Sequence, residues 1–199
     1  MKKLVVNLVK SVLVAVLVLG SSSIYAVGDV KVAPISGSKK ARIYIAPNQS
    51  ESVTLTVLNE KGTEYLYSEK LSDASAYNKV YDFNQLNEGT YKIVAESNSK
   101  IVEKNITVSK QGVKVVGENE QYKPFFKLNG NKLIVSYLNG NENQVNVNFS
   151  DGKETFFSDE KVQDINFMKA YDLANLKQGD YIVSVNSGKD SYSYYFQVK

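Results

Sequence analysis

The chain of 199 residues contains no cysteine, no histidine and no tryptophan. Without cysteine it forms no disulfide, no thiolate nucleophile and no cysteine-based zinc or iron–sulfur site. Without histidine it has no imidazole base, no Ser-His-Asp triad and no histidine-ligated metal. Carboxylates, lysines, hydroxyl groups and 14 tyrosines carry the chemistry that remains. We therefore expect a protein that is not an enzyme and that holds neither a cofactor nor a metal.

The sequence also lacks a charge imbalance once its first segment is set aside. The formal net charge is +3, and three of the 24 basic residues (Lys2, Lys3 and Lys10) lie within residues 1–26, which contain no Asp or Glu. The 21 basic residues that remain equal the 21 acidic ones. A neutral protein has no long-range field that gathers phosphate backbones or anionic lipid, so we predict no nucleic-acid binding.

Residues 1–26 are typical of a secretory signal peptide. A basic start and an apolar run over residues 11–19 precede a small residue, Ala26, after which we predict cleavage. A membrane anchor is the alternative, but Lys10 leaves roughly ten apolar residues of the ~20 that a span needs. We therefore expect export to the periplasm, the outer surface or the extracellular space, with no transmembrane segment after signal removal and no lipid anchor.

One stretch of the sequence occurs twice. Residues 79–91 read KVYDFNQLNEGTY, and residues 169–181, ninety positions later and without a gap, read KAYDLANLKQGDY. The similarity continues at the same offset through core and turn positions on both sides. Such an internal repeat predicts one domain for each copy, which we place at residues 27–109 and 110–199.

Both halves have the pattern of short β-strands. Residues 53–57 alternate apolar residues with threonine, a period of two that is typical of a half-buried strand. Asn129-Gly130, between two apolar segments, is the strongest hairpin signal, since both residues tolerate a positive φ. We therefore predict an all-β protein with two tandem immunoglobulin-like, Greek-key β-sandwich domains after the signal peptide.

The predicted domain boundary depends on the segment that follows residue 109. Residues 112–116 (GVKVV) resemble residues 28–32 (GDVKV), which favours a first strand of the second domain over a linker.

The strand before this segment carries Lys104 on its apolar side. We therefore expect a wet or frayed edge there.

In each copy of the repeat, Leu-x-x-Gly-x-Tyr closes a loop and opens a strand. The residues are Leu86, Gly89, Tyr91, Leu176, Gly179 and Tyr181. We predict that the leucine anchors the loop on the core and that the glycine permits a turn conformation that other residues do not adopt. The tyrosine buries its ring while its hydroxyl reaches a loop carbonyl, as in the tyrosine corner of Greek-key sandwiches.

A tyrosine and an aspartate precede this motif in both copies, as Tyr81-Asp82 and Tyr171-Asp172. A carboxylate beside a phenol could be catalytic. We favour a structural interpretation, a strand aromatic followed by an aspartate that accepts a turn amide, because both copies carry the pair.

The order of these features is similar to the C-terminal sorting domains of type IX secretion cargo and to related small secreted β-sandwich proteins. The shared features are a strand, an Asp/Asn-x-Gly turn, a strand, a polar loop, Tyr-Asp-Leu-x-x-Leu-x-x-Gly-x-Tyr-x-Val-x-Val and a closing strand. They are clearest over residues 144–199. The resemblance implies an immunoglobulin-like sandwich that directs export across, or attachment to, an outer membrane.

Four acidic residues within one loop–strand–loop region could bind Ca²⁺ through carboxylate oxygens. They are Asp151, Asp159, Glu160 and Asp164. The alternative, which we favour, is a solvated acidic edge.

Exposed aromatic residues provide a second candidate site. Alternation along the last strand places Tyr192, Tyr194, Phe196 and Val198 on the core face and only Tyr195 outside. By the same argument we expect Tyr67 and Phe157 to point outward. Together, Tyr67, Phe157 and Tyr195 could bind a glycan or another sandwich.

These features together predict an exported, non-catalytic structural, adhesive or scaffold-type interaction protein of the cell surface or extracellular space. Its expected partner is a protein or a glycan. The alternatives are a secretion-sorting or anchoring module and a carbohydrate- or calcium-binding module. The prediction of function follows from the fold class and not from a site.

Overall fold

A computed structural model describes residues 29–46, 52–71, 77–161 and 164–199. Within these ranges all regular structure is β, in fifteen strands. The predicted signal peptide and its cleavage site at Ala26 lie outside the described residues. Among the residues that are described, no helix has the length and apolar character needed to cross a membrane.

The chain separates into two compact units between Gln121 and Tyr122. The strands of the first unit are β1 (Val30–Ile35), β2 (Lys40–Ile45), β3 (Val53–Asn59), β4 (Tyr65–Leu71), β5 (Tyr77–Asp82), β6 (Gly89–Glu96), β7 (Lys100–Ser109) and β8 (Gly112–Tyr122). They form two sheets, a three-stranded one in the order β1-β2-β5 and a five-stranded one in the order β4-β3-β6-β7-β8.

The second unit follows the same plan with one strand fewer. Its strands are β9 (Phe125–Asn129), β10 (Lys132–Leu138), β11 (Val145–Ser150), β12 (Thr155–Lys161), β13 (Asn166–Asp172), β14 (Gly179–Ser187) and β15 (Asp190–Val198). Its sheets have the orders β13-β10-β9 and β12-β11-β14-β15. In both units, therefore, the first, second and fifth strands form one sheet, and the fourth, third, sixth and seventh belong to the other.

Each pair of sheets encloses one apolar core. In the first unit Ile43 of β2 and Leu55 of β3, from opposite sheets, belong to the same buried cluster. In the second unit Leu133 of β10 and Val147 of β11 do the same. The predicted all-β class of tandem, immunoglobulin-like β-sandwich domains is confirmed.

The strands form where apolar residues alternate with polar ones. In β11, Val145, Val147 and Phe149 are completely buried, and the residues between them face away from the core, as the period of two requires. The Asn129-Gly130 hairpin joins β9 to β10, and Gly130 has a φ of 56°, in the region that favours glycine.

The strand β8 belongs to the first unit, so the division of the chain differs from the predicted boundary at residue 109. It neither opens the second domain nor serves as a linker, because it lies beside β7 at the edge of the five-stranded sheet. Gly112 begins this strand with a φ of 119°, and a Cβ there would lie 2.8 Å from the carbonyl oxygen of Ser38. Glycine is therefore required where the chain turns into β8.

This additional strand also changes the environment of Lys104. Instead of lying at a wet edge, Lys104 is 8% exposed and forms an ion pair with Glu118 on β8. Further along the same two strands, the Nζ of Lys100 lies 2.6 Å from Oε2 of Glu120. The inward lysines of β7 are thus neutralised by β8, as charges withdrawn from water require.

Candidate functional site

The repeated tyrosines fasten the loop between the fifth and sixth strands in both units. The hydroxyl of Tyr91 donates to the carbonyl oxygen of Asn87 at 2.8 Å, and that of Tyr181 to the carbonyl oxygen of Lys177 at 2.9 Å. The tyrosine rings and the leucines of the same motif pack against their cores, and these leucines are Leu86 and Leu176. This geometry matches a tyrosine corner, which is a structural feature.

The glycines of the motif differ between the copies. Gly89 has a φ of 159°, whereas Gly179 does not adopt a positive φ. A Cβ at Gly179 would lie 3.8 Å from Cε2 of Tyr181, an ordinary contact. A backbone conformation that only glycine adopts, as the sequence predicted, is therefore not the reason for glycine at position 179.

The aspartates of the Tyr-Asp pairs accept turn amides. Oδ1 of Asp82 accepts the backbone N–H of Asn84 at 2.9 Å, and Oδ1 of Asp172 accepts that of Ala174 at 2.9 Å. The hydrogen bond from the Asn84 backbone is the main reason that the pKa of Asp82 is lowered. Consecutive strand residues point to opposite faces, so the acid and the phenol of each pair face apart.

A hydrogen-bonded cluster links the two sheets of the first unit on their inward faces. Its centre is Glu69 on β4. Oε2 of Glu69 accepts hydrogen bonds from the hydroxyls of Tyr67 and Tyr77, the second at 2.8 Å. The Nζ of Lys79 donates to the same oxygen at 3.2 Å. Tyr77 and Lys79 lie on β5 in the opposite sheet, and the Tyr77 hydroxyl lies 2.6 Å from that of Tyr81. We call this group the first sheet-bridging cluster.

The surroundings shift the pKa of four members of this cluster away from neutrality. Hydrogen bonds from Tyr67 and then Tyr77 lower the pKa of Glu69, while bonds to Tyr67 and Glu69 raise the pKa of Lys79. Burial raises the pKa of Tyr77 to about 12 and raises the pKa of Tyr81 further. At neutral pH Glu69 is therefore ionised, Lys79 is charged, and Tyr77 and Tyr81 are neutral. None of these four groups has a pKa near neutrality, where general acid–base catalysis works best.

The cluster recurs ninety residues later with fewer hydroxyl groups. In this second sheet-bridging cluster, Nζ of Lys169 lies 2.5 Å from Oδ2 of Asp159, and the hydroxyl of Tyr171 donates to the same oxygen at 2.9 Å. Burial, and then the charge of Asp159, raise the pKa of Tyr171. Phe157 and Phe167 stand where the first cluster has tyrosines. The retained pair of acid and lysine is thus a feature of the repeated fold.

Sequence reasoning missed both clusters because their members lie on strands of opposite sheets. The available signal was an acid and a lysine ten residues apart, recurring at the same repeat positions as Glu69 with Lys79 and Asp159 with Lys169. Alternation places each lysine on the same face as the tyrosine two residues later, but it places the acids on the face of Tyr67 and Phe157, which were expected to point outward.

Two of the four acids considered for Ca²⁺ have carboxylates that are engaged with other groups. Oδ1 of Asp151 accepts two backbone N–H groups of its own turn, each at 3.0 Å, and Asp159 belongs to the second sheet-bridging cluster. The side chain of Glu160 lies outside the described residues. For Asp164, the backbone carbonyl oxygen accepts a hydrogen bond from Nδ2 of Asn139 at 3.2 Å. The side chains that the structure describes include no group of three acids suited to a metal ion.

Two of the three aromatic residues expected outside pack inward instead. Tyr67 and Phe157 are half-buried against their cores. A β-bulge lies at the same position of each unit, in the pairing of β3 with β4 and of β11 with β12. The bulge adds one residue, Leu66 or Phe156, so two consecutive side chains contact the core and simple alternation fails. Tyr195, by contrast, is 72% exposed.

Tyr195 borders an open cavity of about 500 Å³ on the second unit. Its polar lining includes Asp151, Asp180 and Gln197, and Nε2 of Gln197 donates to Oδ1 of Asp180 at 3.1 Å. An accessible aromatic ring beside carboxylates and an amide offers one stacking surface and several hydrogen-bonding groups. Chemically, this combination suits a polyhydroxylated ligand.

The outer face of the β9–β10–β13 sheet exposes several large apolar side chains. Phe125 on β9 and Met168 on β13 are 60% and 69% exposed, and both pair with Ser136 on the central strand. Leu138, on the same face of β10, is 40% exposed. We call these residues the apolar face of the second unit.

The corresponding face of the first unit is more polar. Asn78 occupies the position of Met168, and Nη1 of Arg42 donates to its Oδ1 at 3.0 Å. The apolar side chains exposed there, Ile35 and Val80, are 37% and 42% exposed. Since the same fold tolerates a polar pair at this place, folding alone does not require the exposed Met168.

No protein-family model matches the chain, and a search of curated proteins finds no match. Among solved structures, the chain is similar to the BSP domain of a biofilm-associated protein, with a TM-score of 0.28, 13% identity, and coverage of 86% of this chain and 29% of that one. It is also similar to the FN1–FN3 domains of chicken CNTN1, with a TM-score of 0.28, 11% identity, and coverage of 87% of this chain and 66% of that one. The chain thus spans less than two thirds of the length of either.

At this level of similarity neither structure carries an argument about function. Neither is described as a secretion-sorting domain. The sorting role implied by the resemblance therefore stays a prediction.

Proposed function

We propose that the chain is an exported, non-catalytic interaction protein of the cell surface or extracellular space, and that the apolar face of its second domain binds a protein partner. The observation that carries this proposal is the exposure of Phe125 and Met168, 60% and 69%, on both sides of Ser136. Several large apolar side chains on one exposed face mark interaction surfaces.

The state of the ionisable residues supports a non-catalytic role. In each unit the inward acid and lysine are engaged with each other across the two sheets, as Glu69 with Lys79 and Asp159 with Lys169. Each of these acids and lysines therefore already has a charged partner within its own domain. An adhesive or scaffold role needs only a stable sandwich that presents a surface.

The test is a quantitative affinity purification from the cell envelope of the source organism, with the mature chain as bait. The double variant Phe125→Ser/Met168→Asn should recover at least tenfold less of a specific partner than the wild type. Val80→Asn changes an exposed apolar residue on the same face of the first unit and should recover the wild-type amount. Equal recovery by all three proteins would contradict the proposal.

Export is tested separately by cell fractionation and by sequencing the N-terminus of the mature protein. The proposal expects the protein outside the cytoplasm, beginning at Val27. A cytoplasmic protein that retains its first residues would contradict the exported role, independently of whether a partner is found.

The cavity beside Tyr195 favours glycan binding as a second candidate function. A glycan array should show a ligand for the wild type that is lost in Tyr195→Ala. Tyr65 is equally exposed, at 73%, but lies on the first unit, so Tyr65→Ala should bind as the wild type does. If no glycan binds, or if Tyr195→Ala binds normally, this function is wrong.

A further inference from the structure

The chain contains two Asn-Gly sequences, Asn129-Gly130 and Asn139-Gly140, and their surroundings in the fold differ. Asparagine is one of the chemically labile residues of proteins. The backbone nitrogen of the next residue can attack its side-chain amide carbon and close a succinimide ring. Glycine favours this attack because it has no Cβ that hinders the approach. Both sequences therefore have the composition of a deamidation site, and only the fold distinguishes them.

Asn129-Gly130 lies at the exposed tip of the hairpin between β9 and β10. Asn129 is the last residue of β9, is exposed, and pairs with Lys132 across the hairpin. Gly130 has a φ of 56°, and a Cβ added to it would meet no atom within 4 Å. Among the residues that the structure describes, none forms a hydrogen bond with the side-chain amide of Asn129. This amide can therefore rotate and is open to water.

Few contacts hold the tip of this hairpin. β9 is an edge strand of five residues, and within the described chain its one neighbour in the sheet is β10. Fraying at such a place requires much less free energy than global unfolding. When the pair of Asn129 and Lys132 opens, the backbone of Asn129 can rotate. The nitrogen of Gly130 can then approach Cγ of Asn129.

Asn139 is completely buried, and both polar atoms of its side-chain amide are engaged. Nδ2 donates to the carbonyl oxygens of Asn143 and Asp164, at 2.7 and 3.2 Å. Oδ1 accepts the hydroxyl of Ser187 at 3.1 Å. Rotation of the amide toward Gly140 would break these bonds and leave buried polar groups without partners, which is costly. The fold therefore opposes ring closure at this second Asn-Gly sequence.

We propose that Asn129 is a site of spontaneous deamidation in the folded protein and that Asn139 is protected from it. The deprotonated backbone nitrogen of Gly130 forms a bond to Cγ of Asn129, the bond from Cγ to Nδ2 breaks, and ammonia leaves after Nδ2 takes up a proton from water. Water then opens the ring at either carbonyl carbon, which gives an aspartyl or an isoaspartyl residue. The net change is the gain of water and the loss of ammonia, so the reaction needs no oxidant.

The isoaspartyl product changes the hairpin more than the aspartyl product does. In isoaspartate the main chain passes through the former side-chain carbon, so the chain between Asn129 and Gly130 becomes longer. Turn type and loop length fix the register of a hairpin. A longer connection therefore weakens the pairing of β9 with β10. Because β9 carries Phe125, the modification also alters one edge of the apolar face of the second unit.

The test is peptide mapping by mass spectrometry of the mature chain, sampled during several weeks at neutral pH. In the folded protein Asn129 should deamidate at least tenfold faster than Asn139. Asn131 is exposed on the same hairpin but is followed by Lys132, so it should stay unmodified. In guanidinium chloride both Asn-Gly sequences should react at similar rates, because the unfolded chain no longer protects Asn139.

Two results would overturn the proposal. One is an Asn129 that reacts no faster than Asn139 in the folded protein. The other is an Asn139 that stays at least tenfold slower than Asn129 in guanidinium chloride, because local sequence and not the fold would then explain the difference.

A second measurement tests the effect on the hairpin. The isoaspartyl form, separated by ion exchange, should unfold at a lower temperature than the variant Asn129→Asp. This variant is the matched control, since it carries the same added charge on an unaltered main chain. Equal unfolding temperatures would contradict the predicted loss of pairing between β9 and β10.

Discussion

Single side chains in this protein perform two structural tasks at once. The ring of Tyr181 packs against the second core while its hydroxyl holds the carbonyl of Lys177. Tyr91 does the same with Asn87 in the first unit. The two tasks are separable by experiment, because phenylalanine keeps the ring and removes the hydroxyl.

Tyr91→Phe and Tyr181→Phe should each lower the free energy of unfolding by about 1 kcal/mol, the net value of one intramolecular hydrogen bond. Urea unfolding followed by circular dichroism measures the change. Tyr65→Phe, at a position that is 73% exposed, is the matched control and should leave stability unchanged. Unaltered stability in both corner variants would show that the hydroxyls contribute nothing.

Glycine substitutions should separate positions that need glycine from positions that tolerate a side chain. Gly152 has a φ of 83°, so Gly152→Ala should destabilise the second unit by about 1 kcal/mol. Gly179 lacks a positive φ, and the added Cβ meets only an ordinary contact. Gly179→Ala should therefore change the unfolding free energy by less than about 0.5 kcal/mol. Thermal melts that rank the two variants in the opposite order would contradict this assignment.

At the scale of elements, each acid–lysine pair joins an edge strand of one sheet to an edge strand of the opposite sheet. Edge strands β5 and β13 contribute the lysines, and edge strands β4 and β12 of the opposite sheets contribute the acids. An inward charge discourages pairing with another chain. In the second unit, where the side chains of Lys169 and Asp159 are 16% and 14% exposed, each charge also offsets the cost of withdrawing the other from water. Both sheet-bridging clusters therefore protect edges as well as joining sheets.

The first cluster should make the stability of the first unit depend on pH. The pKa of Glu69 is lowered from its ordinary value of 4.5, so its ionised form stabilises the fold. This contribution is complete above about pH 4.5 and is lost as the pH falls through the lower pKa of the folded state. The difference in unfolding free energy between the wild type and Glu69→Gln should accordingly narrow as the pH falls below 4.5.

Urea unfolding at several values between about pH 3 and pH 7 measures this difference. Glu60→Gln, in an exposed turn, serves as the matched control. A constant difference between the wild type and Glu69→Gln over this range would mean that the carboxylate does not contribute through its charge.

At the scale of the whole molecule, the chain is a duplication whose copies kept the core and changed the edges. The strand plan and the buried positions recur, while β8 covers one edge only in the first unit and the apolar face is prominent only in the second. Divergence is thus concentrated at the edges and on the exposed faces of the sheets.

The place of β8 predicts where the chain can be divided. A fragment of residues 27–121 should unfold cooperatively, because it keeps β8 and the partners of the inward Lys100 and Lys104. A fragment of residues 27–109 loses this strand and should have a lower unfolding midpoint or fail to fold. Calorimetry of the two fragments measures the difference, and equal midpoints would show that β8 is dispensable.

Much of the candidate surface could not be derived from periodicity. Alternation correctly placed Tyr195 outside, because β15 has no bulge. It misplaced Tyr67 and Phe157, because a bulge adds one residue and no sequence pattern marked it. The exposed Met168 was not singled out at all, since its exposure depends on what covers that face of the sheet.

The sequence by itself determined the β class, the duplication and the hairpin at Asn129-Gly130, because these follow from local periodicity, internal similarity and the conformational preferences of single residues. Only the tertiary structure decided that β8 belongs to the first unit and that acid and lysine meet across the sheets. These features depend on which distant strands become neighbours. Residues far apart in the chain meet through the pairing and stacking of sheets, which no local pattern encodes.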